Sequence, residues 1–204
     1  MGELLDKPSS TAPKGDWQAR QLQLIEAIAN LSQRALDHQL NQAMALYPAV
    51  TLCEQLLLPL LDLLDLRWRN YFNAQLEQVF FHSWLRSKLG ARVYHDNQLL
   101  QGPAVLLVED GERTFSPGLW LCAWLFTSNG FPVEVLEHPV TGPHLQRAVS
   151  TLAPRAVLLH LGPRFDGKAL QRALHNLPVK TLAGGATLVL HEAQLRALEL
   201  PDLA

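Results

Sequence analysis

Ala104-Val105-Leu106-Leu107-Val108 is a run of five apolar residues with no polar side chain among them. A strand with one wet face alternates. An unbroken run fits a strand covered on both faces, which points to a parallel sheet with helices above and below it. The pattern returns in Pro132-Val133-Glu134-Val135-Leu136 and in Ala156-Val157-Leu158-Leu159-His160. Thr181-Leu182-Ala183 predicts a short fourth strand that ends at Gly184-Gly185. Helical stretches are predicted between them, at 119–128 with Gly130 as the stop, from Thr141 or Gly142 to about Leu152, from Asp166 to about Leu177, and at 191–198. Strand and helix thus alternate over 103–204, as in a Rossmann-like α/β layer. Ligands of such sheets sit at the carboxyl ends of the strands, here 109–118, 137–142, 160–165 and 184–187.

Upstream, the apolar period becomes helical. Asp16 is read as an N-cap, followed by Leu22, Ile25, Ile28, Ala29 and Leu31 at helical spacing. Ser32 opens a second helix carrying Ala35, Leu36, Leu40, Ala43, Met44 and Leu46 on one face, and Pro48 closes it. Thr51 with Glu54 forms a capping-box pattern for a third helix, which carries Leu56, Leu57, Leu60, Leu63, Leu64 and Trp68 and is set to kink at Pro59. A fourth is predicted over 73–89, with Leu76, Phe80, Phe81, Trp84 and Leu85, stopping at Gly90. Residues 16–90 therefore read as a four-helix bundle. Residues 1–15, with Lys7-Pro8-Ser9-Ser10-Thr11-Ala12-Pro13-Lys14-Gly15, read as a flexible tail or linker.

Composition removes several classes. A hydrophobic fraction of 48% supports true cores and excludes disorder as the main state. A net charge of −2 argues against phosphate clamping by these residues, so nucleic acid is not an expected direct partner. Two cysteines, Cys53 and Cys122, are too few for a disulfide scaffold and read as small buried hydrophobes. The richest apolar run, 56–66, is interrupted by Pro59, Asp62 and Asp65 and is too short to cross a bilayer. A cytoplasmic protein is expected, with no membrane partner.

Chemistry-bearing motifs are sparse. The first strand-to-helix loop has no GxGxxG and no GxxxxGK[ST], and the chain has no HExxH, CxxC or GxSxG. Its eight histidines show no close metal-ligand pairing, so no metal site and no catalytic residue is predicted. His160 stands out because it ends the third strand at the ligand-facing rim. Gly184-Gly185 reads either as a tight turn or as a close backbone approach to a ligand, and Gly118 as a helix start or a similar approach. Trp68 reads first as core.

The order of these parts resembles the cobalamin-binding effector region of MerR-type transcriptional regulators. The resemblance runs from Asp16 to about Leu190. It is carried by Asp16-Trp17-Gln18-Ala19-Arg20-Gln21, by Tyr47-Pro48 followed by Leu56-Leu57-Leu58-Pro59-Leu60-Leu61, by Trp68, by Gly118 and by Gly184-Gly185. In that family the tryptophan covers the upper face of the corrin, Gly118 matches the last glycine of a DxHxxG loop, and the glycine pair lies against the nucleotide tail. The departures are equally specific. The lower-face histidine falls on Phe115 and its aspartate on Arg113. The upper-face Glu-His pair falls on Gln78-Val79, and the Ser-x-Leu motif reads His160-Leu161-Gly162.

The resemblance implies a ligand-sensing and oligomerisation domain, not an enzyme. Its ligand contacts would come from Trp68, Phe115, Gly118, His160, Gly184 and Gly185. The cofactor stays unknown: a cobalamin without histidine ligation remains open, and haem is the weaker option. A homo-oligomer is implied, with DNA reached only through a helix-turn-helix domain or partner outside these residues. Two alternatives stand beside it, a ligand-free protein-interaction domain and a corrinoid-carrying subunit of a methyltransferase-like enzyme.

Overall fold

The computed structural model describes residues 16–70, 74–109, 115–140, 143–161, 179 and 181–184. The chain divides into two compact units, Met1–Phe81 and His82–Ala204.

The first unit is a helical bundle of α1 (Asp16–Ala29), α2 (Gln33–Leu46), α3 (Ala49–Leu52), α4 (Leu58–Asn70) and the start of α5 (Ala74–Asn97). Ser32 caps α2 as expected, its hydroxyl accepting the Ala35 N–H at 3.4 Å. Tyr47 is extended because proline follows it, and the helix ends there. The capping box at Thr51 does not form. Pro48, extended at the N-cap position, starts α3 at Ala49, so Thr51 lies inside the helix. Leu24, Ile28, Leu36, Leu40, Leu52, Leu60 and Leu64 fill the core.

Pro59 acts as expected of an interior proline. It has no N–H for the carbonyl of Gln55, four residues back, and its ring crowds that carbonyl. Just before it, Cys53–Leu57 forms a widened π turn. The side-chain amide of Gln21 on α1 donates to the Gln55 carbonyl at 3.3 Å.

The second unit holds the remainder of α5, then β1 (Val105–Glu109), α6 (Pro117–Ser128), β2 (Val133–Leu136), α7 (Pro143–Leu152), β3 (Ala156–His160) and β4 (Thr181–Gly184). The four strands are parallel in the order β2-β1-β3-β4. This is the α/β fold read from the apolar runs. Leu106, Val108, Val157 and Leu159 pack with Leu145 and Val149 of α7 on one face. Strand side chains alternate between faces, so Glu109 and His160 belong to the other face, shared with Gly118 of α6.

One helix boundary is corrected. α5 runs through Gly90 to Asn97. A glycine ends a helix by turning left-handed, and Gly90 does not; among the described glycines, positive φ falls at Gly102 and Gly130. The Trp120 ring lies against Gly90, where a methyl would stand 3.7 Å from it. The final turn of α5 is tied to β2, because Asn97 donates to the Val133 carbonyl at 2.8 Å and accepts the Val133 N–H at 3.0 Å. The helices expected at 166–177 and 191–198, and the tail at 1–15, lie outside the described residues.

Candidate functional site

Glu109 and His160 are the last residues of β1 and β3 and face each other in register, and His160 is in turn paired with Gly184 at the end of β4. The strand tips are therefore where the sheet gathers its polar chemistry. Both side chains are buried: Glu109 is 1% exposed and His160 8%. Nδ1 of His160 lies 3.0 Å from Oε2 of Glu109 and 3.2 Å from Oγ of Ser116. Both contacts fall on Nδ1, so neither engages Nε2. Ser116 occupies the N-cap position of α6, yet its side chain makes no cap bond and turns to the imidazole instead.

Gly118 completes the arrangement. A methyl on Gly118 would stand 2.7 Å from Nε2 of His160, with Cε1 at 3.4 Å and Cδ2 at 3.6 Å. The ring thus approaches α6 end-on, nitrogen first, over a residue whose lack of a side chain leaves room for it. His160 and Gly118, chosen separately from the sequence, meet here. Glu109 and Ser116 were not singled out. The signal for Glu109 was a carboxylate closing an otherwise apolar strand; for Ser116 it was a cap residue before a proline, which reads as helix capping alone.

The trio is not a nucleophilic relay. Both oxygens converge on one nitrogen, whereas a serine relay needs the hydroxyl on one ring nitrogen and the carboxylate on the other.

Phe115 is half-buried, its ring 5.3 Å from that of His82. It offers no lone pair at the position where the family resemblance puts the cobalt ligand, so the residue present does not fit histidine-on coordination there. Trp68 belongs to the bundle unit. It is buried, with its ring 6.1 Å from Phe81 and tilted by 53°. Beside it, Arg67 of α4 makes a two-pronged pair with Glu77 of α5, both bonds at 2.9 Å. Hydrogen bonds from Arg67 are the main reason the Glu77 carboxyl titrates below its ordinary range; burial opposes this, and the charge of Arg67 and the Trp68 indole add to it. Gly185 and Arg113 lie outside the described residues.

Burial raises the Cys122 thiol above its ordinary range, which keeps it protonated and unreactive at neutral pH. Among the described residues there is no cluster of three or more His, Cys, Asp or Glu side chains that would hold a metal ion, and no helix is long and apolar enough to cross a membrane.

A family model described as B12 binding domain matches residues 21–92, which is most of α1 through most of α5. These residues form a cobalamin-binding-like region. No curated protein matches the chain.

Proposed function

We propose that this chain is the ligand-sensing and oligomerising effector region of a MerR-like transcriptional regulator. Its ligand is a corrinoid held without a protein nitrogen on the cobalt. The observation that carries the reading is the B12-binding match over the helical bundle, followed in the chain by a parallel sheet whose β1 and β3 tips bear a buried polar cluster. Phe115 supports the absence of nitrogen ligation, because its ring stands where the resemblance puts the lower-face histidine. The chain performs no reaction in this reading, and DNA is read by a separate helix-turn-helix domain.

The test is to incubate the purified chain with hydroxocobalamin and, separately, adenosylcobalamin, then to follow corrinoid absorbance through gel filtration. Colour travelling with protein at the size of a dimer is expected. Colourless protein would remove the corrinoid from the proposal.

A second reading, a ligand-free interaction domain, is favoured by the imidazole lodged at Gly118. A melting temperature unmoved by either cobalamin would support it, because a ligand that binds only the native state must raise stability.

A further inference from the structure

In a parallel sheet of order β2-β1-β3-β4 the connections leave β1 and β3 in opposite directions. The crevice this opens at their carboxyl ends is where such sheets take ligands. Glu109 and His160 flank it here, and their side chains point to each other.

We propose that His160 is a built-in occupant of this crevice, held by Glu109 and Ser116 and lodged end-on against Gly118, so that a corrinoid taken up by this chain receives no imidazole from the strand tips. The clause about corrinoid rests on the function proposed above; the lodged imidazole does not.

The geometry of both ring nitrogens carries the inference. Nδ1 is engaged by a carboxylate and a hydroxyl at 3.0 and 3.2 Å. Nε2 is the ring atom nearest the missing side chain of Gly118, with its two neighbouring carbons behind it at 3.4 and 3.6 Å, so the ring axis through Nε2 runs into the first turn of α6. A metal ion sits about 2.0–2.1 Å from an imidazole nitrogen. Along this axis that distance ends within the space a side chain on Gly118 would fill, against the first turn of α6, with no room for a macrocycle around the metal. Swinging the ring outward would break its contact with a carboxylate that is almost wholly buried, and losing a hydrogen bond in a buried setting is costly. Glu109, Ser116, Gly118 and His160 thus form a plug made of one residue from each of two strand ends and two from the start of α6.

Two measurements on the full chain test the proposal. The first needs no ligand. Gly118→Ala should lower the melting temperature by several degrees in the parent. In a His160→Ala background it should leave the melting temperature unchanged or raise it, since alanine is otherwise the better helix former. His160→Asn, shorter but still able to donate towards Glu109, serves as a second background. An equal effect of Gly118→Ala in parent and in both backgrounds would overturn the lodged imidazole. The second adds aquacobinamide, a corrinoid without its own nitrogen base, and hydroxocobalamin. The visible bands of each should match those of the free corrinoid. A band shift seen with the parent and lost in His160→Ala would overturn the proposal. If neither corrinoid co-elutes with protein, the function proposed above fails, while the melting experiment still decides the role of His160.

Discussion

Glu109 and His160 end adjacent parallel strands, face one another in register, and meet through a 3.0 Å contact between Oε2 and Nδ1. The carboxylate is among the most deeply buried polar groups of the second unit, so it holds the ring in a low-dielectric setting where a hydrogen bond is strong and a lost one is expensive. Glu109→Ala should therefore cost about 1–3 kcal/mol of stability. Urea unfolding measures it, and an unchanged midpoint would show that the contact contributes nothing.

Pro59 and Gln21 form a second testable pair. If the Gln55 carbonyl depends on Gln21 because Pro59 has no N–H, then Gln21→Ala should cost about 0.5–1.5 kcal/mol in the parent. In a Pro59→Ala background, where the helix regains its own donor, the same change should be close to neutral. Equal costs in the two backgrounds would break the link between proline and glutamine.

The Arg67–Glu77 pair predicts a pH effect of definite sign. Glu77 titrates below its ordinary range in the folded chain, so the pair stabilises fully above the ordinary carboxylate range, and that gain is lost as pH falls through the folded value. Arg67→Gln removes the main cause of the shift. Stability curves of parent and variant should differ at neutral pH and converge in acid. The side chains are 30% and 18% exposed, so solvent screening makes the gap modest. A gap that widened on acidification would contradict the assignment.

Asn97 should matter more than an ordinary residue at a helix end. Its amide satisfies both the N–H and the carbonyl of Val133 at the outer edge of β2, as a neighbouring strand would. Asn97→Ala should cost about 1–3 kcal/mol and leave that edge open to self-association. Asn97→Asp should also destabilise, since it sets a carboxylate against the carbonyl. Unfolding midpoints together with light scattering check both. A fully monodisperse, equally stable alanine variant would count against the edge-capping role.

Periodicity made the order of elements legible. The β3 bounds follow from Ala156-Val157-Leu158-Leu159-His160 alone, because an apolar run of that length between turns has few other uses. The cap at Ser32 and the end of α6 before Gly130 were legible because their causes are local: a hydroxyl that accepts a backbone N–H, and a residue free to take positive φ. Gly90 misled because its presence in a helix is settled by what lies against it, the Trp120 ring, and that residue is thirty positions away. Thr51 misled because two local rules competed, and the fixed φ of Pro48 acted first.

The sequence by itself determined a bundle followed by a parallel α/β layer, and it marked His160 and Gly118 as residues at the strand-tip rim. Only the tertiary structure decided that they touch, and that Glu109 and Ser116 hold the imidazole in place. The reason is physical. Hydrophobic period and turn chemistry act over a few residues, and one chain carries them. The register of β1 against β3 and the seat of α6 are set by packing between segments more than forty residues apart, and a hydrogen bond exists only once that packing has brought its two atoms within reach.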